Sequence, residues 1–569
     1  MRPTRWRASP GCSRARSRPR WAGGGARRWS MRPIWFSTRP EPGLAFRPGG
    51  GKGWAMTRPD RPPLDALVIG AGFGGLAAGR ALMRAGLTDI VLVDRAGGVG
   101  GTWWWNRYPG ASSDVPAHFY SYSFRLKPDW SCAYPPGEEI RAYLEDCADA
   151  FGLRPKLKLG AGVERLAFDD ASGLWWAALS TGESLTARHV VAAIGGLHEP
   201  AQPPIEGRAR FTGEVFHTAR WPASTPVSGR KIAIIGSAAS AIQAAPELAR
   251  RGAQVTVFQR TPNYIAPRGN HRYSKALQAV FRVPGLARAW RWAIYKRLDT
   301  VVYPIVKPGS KIGRFFRRRL MTRKDAALSD PALQATMAPS YELGCKRILI
   351  SDDFYASIES GAVRLIPSAA ARLDETGVVA ASGEHVEADI VLFATGYDLA
   401  GHMRSLDVTG PGGRRLSDDW ADMAEAHRGA AVAGYPNLWL VAGPNTGVGT
   451  TSVVFMIEAH LDYIIPLIEG AGERGLLSPR PEAQAAYNAD IQARLQDTVW
   501  AKGGCKSWYR RPDGRIETLY PGNAADFRRM LKSASPNEYE RSERPVVQSG
   551  QAAASASAPD RQAMTDRTI

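Results

Sequence analysis

Cysteine is scarce in this chain. Its 569 residues hold five, Cys12, Cys132, Cys147, Cys345 and Cys505, an odd number with no CxxC pair. That spacing supports neither a disulfide framework nor a zinc site, and no metal is expected. Long apolar runs are lacking as well. The most hydrophobic helix candidate, residues 453–468, is interrupted by Glu458, His460 and Asp462, which argues against a transmembrane segment, and the expected location is cytoplasmic. Acids are nearly absent from the start of the chain: residues 1–55 hold twelve arginines and Lys52 against Glu41 alone, which is +12 of the net +21. A charge so concentrated argues against a nucleic-acid-binding protein, for which basic residues are spread over a folded face. The same stretch has no apolar period, no h-region and no cleavage pattern. Residues 1–61 are therefore read as a disordered basic leader or a mis-set start, with Met56 as the true first residue. The tail, 538–569, rich in alanine and serine, is also read as disordered.

The chain taken whole has the composition of a globular protein, 44% hydrophobic and 22% charged, and is long enough for two or more domains. From Asp65 to about residue 265 short β-branched runs alternate with helical patterns, and strand patterns return at residues 390–393 and 438–441. This is α/β patterning with parallel sheets. Between them, residues 270–335 read as a helical insertion. Its 281–324 segment carries thirteen basic residues against Asp299, interleaved with Trp290, Trp292, Tyr295 and Tyr303. Such a segment could lie on a membrane surface or bind polyanions, and its plain reading is a helical insertion with a solvated basic face.

The first motif begins where the apolar run Ala66-Leu67-Val68-Ile69 leads into Gly70-Ala71-Gly72-Phe73-Gly74-Gly75, followed by a helical pattern from Leu76 to Ala85. Gly70 permits the tight turn, Gly72 lets a pyrophosphate approach the backbone, and Gly75 lets helix pack closely on strand. Phosphates would rest on the helix N-terminus. The next strand, residues 90–93, ends in Asp94, nineteen residues after Gly75, where a carboxylate can accept hydrogen bonds from ribose hydroxyls.

A second unit begins at residues 231–235 and turns through Gly236-Ser237-Ala238-Ala239-Ser240-Ala241-Ile242. Only its first glycine is kept, and the methyl of Ala238 would hold phosphates slightly further off. The strand after it, residues 255–258, ends in Gln259-Arg260-Thr261 rather than an acid. Loss of the carboxylate removes repulsion and Arg260 offers a charge-assisted fork for a 2′-phosphate, which predicts NADPH over NADH. Two dinucleotide units imply FAD plus a pyridine nucleotide. The expected fold is two Rossmann-like domains, the second nested in the first: residues 62–210 and 376–537 form the FAD-binding domain, and 211–375 form the NADPH-binding domain with the helical insertion. The run 388–397 marks the return.

Phe211-Thr212-Gly213-Glu214-Val215-Phe216-His217-Thr218-Ala219-Arg220-Trp221-Pro222 matches FxGxxxHxxxW, and in this the chain resembles the type I Baeyer-Villiger monooxygenases. Gly100-Gly101-Thr102-Trp103, then Tyr108-Pro109-Gly110 and Asp114, fit a second pattern of that family, and the likeness runs from about residue 62 to 535, including the stretches 344–347, 443–447 and 507–509. The resemblance implies FAD contacts from Thr102, Trp103, Trp104, Trp105, Asp114 and Tyr120. It implies NADP contacts from Ser112, Ser113, Asp114, residues 236–242, Arg260, Thr261, Lys346 and Arg347. His217 is read as a structural histidine. The activity implied is conversion of a ketone to an ester or lactone with O₂ through a peroxyflavin. Arg347 is then the catalytic cation and Asp114 the carboxylate that orients it. The enzyme would be a monomer or small homo-oligomer. Two other readings are an N- or S-oxygenating flavin monooxygenase, and a degenerate nucleotide-binding flavoprotein without oxygenase activity, for which Ala238 is the main support.

Overall fold

The computed structural model describes residues 61–398, 406–447, 449–505, 507 and 509–545. The basic leader up to residue 60, the end of the tail and Trp508 lie outside the described residues.

Three apolar strands form the centre of an eight-stranded sheet. These are β1 (Leu64–Ile69), β2 (Ile90–Asp94) and β3 (Ser184–Ala192), with β1 parallel to both neighbours. The interior residues of β1 are buried on both sides, which is why the run is continuous rather than alternating. Helix α1 (Phe73–Arg84) crosses from β1 to β2. A five-stranded, all-parallel sheet follows. Its strands are β4 (Glu214–His217), β5 (Lys231–Ile235), β6 (Gln254–Phe258), β7 (Val363–Ile366) and β8 (Ile390–Phe393), in the spatial order β7-β6-β5-β8-β4. Helix α2 (Ala239–Arg250) covers one face with Ile242, Ala245 and Leu248. The antiparallel strands at 370–373, 377–380 and 385–387 lie on the side where Ala233, Ile235 and Phe393 are buried.

Three expectations need correction. The run 388–397 does not mark the return to the first domain: β8 hydrogen-bonds between β5 and β4 in the second sheet. Strand pairing with the first sheet resumes only at Asp407–Thr409 and Leu438–Leu440. A buried apolar strand reads alike in either sheet. Nor does a disordered tail begin at 538, since Tyr539–Glu543 pair antiparallel with Gly475–Pro479. Tyr539 is buried, and its hydroxyl bonds that of Tyr463. Finally, Cys345 and Cys505 are joined in a disulfide across 160 residues, their Cα atoms 6.0 Å apart. The tertiary fold makes this pairing, and no local spacing announces it. Cys132 and Cys147 are buried and take no part in a disulfide. Among the described residues no group of ligating side chains could hold a metal.

The insertion folds as α3 (Lys275–Arg282), α4 (Leu286–Arg297), α5 (Lys311–Ala327) and a short helix at Pro331–Thr336. Buried Arg291 ties α4 to the first domain by donating to the carbonyls of His118, Phe119 and Ser121 at 3.2, 2.9 and 2.6 Å. Helix α6 (Val453–Ala471) packs beside α1. Its Glu458 lies 3.6 Å from Arg291 and accepts from the Ser123 N–H. Among the described residues no helix is long and apolar enough to cross a membrane.

Candidate active site

The first glycine loop is shaped so that only glycine fits at two places. Gly70 has φ +112°, and a Cβ there would lie 2.5 Å from the Ala193 carbonyl oxygen. A Cβ at Gly75 would come within 1.8 Å of the Gly70 oxygen. The loop borders a cavity of about 560 Å³ lined by Gly70, Gly72, Gly74, Thr102, Trp103 and Tyr120, with Asp94 and Trp105 also on its wall. Backbone N–H groups at the start of α1 face an anion here at little steric cost, which is what a dinucleotide pyrophosphate requires. The residues present therefore fit FAD. Asp94 has a second duty that the motif does not announce. Its two oxygens accept from the backbone N–H groups of Ala71 (2.7 Å) and Ala96 (2.8 Å), so it fastens the glycine loop while bordering the cavity. Burial pushes its pKa upward.

The three tryptophans separate. Trp103 is buried, and its indole N–H donates to the Tyr120 hydroxyl at 3.3 Å. Trp105 lies under the Arg220 guanidinium, 4.2 Å away. Trp104 is not on the cavity wall. It packs against Gly98, where a Cβ would strike its ring at 2.0 Å, and stacks under Arg107.

Arg347 and Asp114, 233 residues apart, meet near Tyr120 of the cavity wall, although neither of the pair lines the cavity itself. The arginine Nε donates to Asp114 Oδ2 at 2.8 Å, and Nη2 lies 2.7 Å from the same oxygen. The carboxylate raises the guanidinium pKa further, so its charge is permanent at any working pH. Tyr120 and Tyr509 stand close enough to feel both charges, and burial pushes Tyr120 up to about 12. Both phenols are therefore protonated donors at neutral pH. The disulfide fastens the segment immediately before Arg347 to the one before Tyr509. Arg268, which no motif marked, fixes the other side: its Nη2 donates to the Ser113 carbonyl at 3.0 Å, and its positive charge faces Asp114.

In the second unit Gly236 repeats the first turn, with φ +109° and a Cβ that would meet the Ala394 oxygen at 2.5 Å. Ala238 has φ −87°, ψ −162°, nearly the −91°, −163° of Gly72. Both are extended conformations open to any residue, so alanine here costs no backbone strain. Ala239 and Ser240 open the helix, whereas Ala241 and Ile242 point into the core. The Ser237 hydroxyl reaches the Thr261 carbonyl at 3.4 Å. Past β6, exposed Arg260 stands near Lys346, whose pKa is lowered by burial and then by the Arg260 charge. Two cations near each other suit an anion. The two units also touch. Gln243 of α2 accepts from the Tyr108 hydroxyl (2.8 Å) and donates to the Ser112 carbonyl (3.1 Å), while Gly110 lies so near the Gln243 carbonyl that a Cβ would sit at 2.4 Å.

Phe211, His217 and Trp221 of the FxGxxxHxxxW pattern are buried away from the cavity. Phe211 and Trp221 pack on opposite faces of the second sheet, and His217 ends its edge strand. His217 Nδ1 accepts from the Ala219 N–H at 3.0 Å, and burial lowers its pKa to about 4. It is neutral and structural at physiological pH.

Two nested dinucleotide folds with a paired arginine at their junction define a pyridine-nucleotide flavoprotein oxidoreductase, and residues 67–283 match the family model described as pyridine nucleotide-disulphide oxidoreductase. A Baeyer-Villiger monooxygenase of Streptomyces coelicolor is 40% identical over 477 residues, 83% of this chain and 92% of that protein. A phenazine N-monooxygenase of Lysobacter antibioticus is 30% identical over 533 residues, 84% of this chain and 97% of that protein. The crystal structure of a cyclohexanone monooxygenase from Rhodococcus bound to NADP+ aligns with a TM-score of 0.76 at 26% identity, over 84% of this chain and 99% of that one. The chain belongs to the Baeyer-Villiger monooxygenases, flavoenzymes that use FAD and NADPH.

Proposed function

We propose that the protein converts a ketone to an ester or lactone, consuming NADPH and O₂. The observation that carries this is the Arg347–Asp114 pair, set beside Tyr120 on the cavity that fits FAD. Bound there, FAD would take hydride from NADPH and then activate O₂. Residues Gly70–Gly75 and Asp94 hold that cofactor. The anion site at Arg260 and Lys346 takes the 2′-phosphate, with Ser237, Ala238, Ser240 and Thr261 around the second turn.

Arg347 supplies a fixed positive charge where negative charge develops on the ketone oxygen, an arrangement made in advance and so at little reorganisation cost. Asp114 aims the guanidinium, and Arg268 and the disulfide hold the two strands of chain that carry the pair. Tyr120, Trp103 and Phe73 keep water from that side of the site. The working form is a monomer or small homo-oligomer, and the cytoplasmic pools of both dinucleotides support a cytoplasmic location.

The test is incubation of purified enzyme with NADPH, O₂ and a panel of linear, cyclic, aromatic and steroid ketones, with mass detection of products that have gained one oxygen. Formation of an ester or lactone carries the reading. A second reading, oxygenation of nitrogen or sulfur, is favoured by the 30% identity to the phenazine N-monooxygenase. Including a tertiary amine and a thioether in the panel separates the two, and heteroatom oxides with no ester would replace the first reading by the second.

A further inference from the structure

Eleven large apolar side chains are exposed among the described residues, and eight of them lie between Val280 and Phe315. The thirteen basic residues of 281–324 occupy the same stretch. Four of those are used internally: Arg291 and Lys324 are buried in hydrogen bonds, and Arg317 and Arg323 face Glu342 and Asp352. The other nine make no ion pair among the described residues. The one acid, Asp299, is buried and accepts from the Ala524 N–H, and Lys296 is near enough to feel its charge.

Helical geometry brings the two kinds of side chain onto one outer face. In α4, Ala287, Arg291 and Ile294 face inward. Arg288, Trp292 and Lys296, four residues apart, then form an outward stripe, with Lys296 Nζ 5.7 Å from the Trp292 ring centre. In α5, Gly313, Leu320 and Lys324 face inward, which leaves Lys311, Phe315 and Arg318 outward. The turn from α3 to α4 adds Val283 and Leu286, and Arg282, Val283 and Arg288 border a recess of about 440 Å³ there.

A merely solvated basic face has no use for Trp292 at 61% exposure or Phe315 at 60%. Nucleic acid would suit the cations and the rings, but exposed Val280, Val283, Leu286 and Ile312 have no counterpart on phosphates or bases. A lipid interface takes aromatic and aliphatic side chains into its acyl boundary and pairs the cations with anionic headgroups. We propose that the outer face of α3, α4 and α5 docks the enzyme on an anionic phospholipid membrane surface. The inner face of α4 holds residues 118–121 through Arg291 and stacks Tyr295 on Phe455 with ring centres 5.1 Å apart. The docked face is thus one helix thickness from Tyr120 on the cavity wall, a short path for an apolar ketone dissolved in lipid.

The experiment is co-sedimentation of the FAD-loaded enzyme with vesicles of phosphatidylcholine alone, or with about a quarter phosphatidylglycerol, at low and high salt. Each basic residue at an anionic surface raises partitioning about fivefold. We expect binding to the anionic vesicles only, reversed by salt, with a blue shift of tryptophan emission. Arg288→Glu with Lys296→Glu, and separately Trp292→Glu with Phe315→Glu, should each lower the bound fraction at least about tenfold. Flavin content, melting temperature and turnover of a water-soluble ketone should stay unchanged. Absence of binding to anionic vesicles, binding unaffected by either pair of substitutions, or binding to RNA or to a second copy of the chain in place of vesicles would each overturn the proposal.

Discussion

Among single residues Arg347 bears most of the proposed chemistry, and its contacts separate two effects of removing it. Reduction of FAD needs only correct placement of the nicotinamide, whereas oxygen insertion also needs a fixed cation beside the ketone oxygen. We expect Arg347→Ala to bind FAD and oxidise NADPH while the yield of ester per NADPH falls at least about 100-fold, the scale of losing one preorganised donor. The missing electrons should appear as H₂O₂. Yield measured on wild type and mutant with the same ketone decides this, and unchanged coupling would remove Arg347 from the mechanism. At the second site, Arg260→Ala should erase most of the preference for NADPH over NADH, about 10- to 150-fold for one charged contact. Steady-state kinetics with both nucleotides checks it. A preference left intact would move the 2′-phosphate to Lys346 alone.

The two glycine turns make opposite demands at the scale of the element. A methyl at Gly75 would overlap the Gly70 carbonyl, so Gly75→Ala should abolish FAD retention, seen as a colourless preparation after gel filtration. Ala238 already has the backbone angles of Gly72, so Ala238→Gly should change the NADPH affinity by less than about threefold, under one kcal/mol. A large gain on that substitution would show that the methyl holds the phosphates off. These elements also mark how much of the molecule was legible. Strands 64–69 and 231–235, the turns after them and the helical insertion follow from local apolar period and glycine chemistry, which travel with the sequence. The membership of 390–393 in the second sheet did not follow, because an apolar strand carries no label for its neighbours. Arg268, the Cys345–Cys505 bridge and the hold of Asp94 on the Ala71 N–H are contacts between segments far apart in the chain, and such contacts exist only once the fold has formed.

Buried histidines set the pH behaviour of the whole molecule. His118, His217 and His460 are pushed down to about 4 and His189 to about 3, in each case chiefly by burial. In the unfolded chain they titrate near the ordinary 6.5, so between about pH 6.5 and 4 the unfolded state holds more protons than the folded one and stability falls as pH falls. Each fully buried group contributes up to about 3 kcal/mol across that window. Half-buried Asp94 and buried Glu458, with raised pKa values, oppose this weakly. A melting temperature followed from pH 7.5 to 5 by flavin release should drop steadily, and a flat profile would mean that these imidazoles are solvated. The Cys345–Cys505 bridge has another consequence at this scale. It turns residues 345–505 into a closed ring, and a ring cut once is still one molecule. A single protease nick anywhere from 346 to 504 should therefore leave a single band of full mass on a denaturing gel without reductant and two bands once dithiothreitol is added; two bands without it would mean that the sulfurs are unlinked in the purified enzyme.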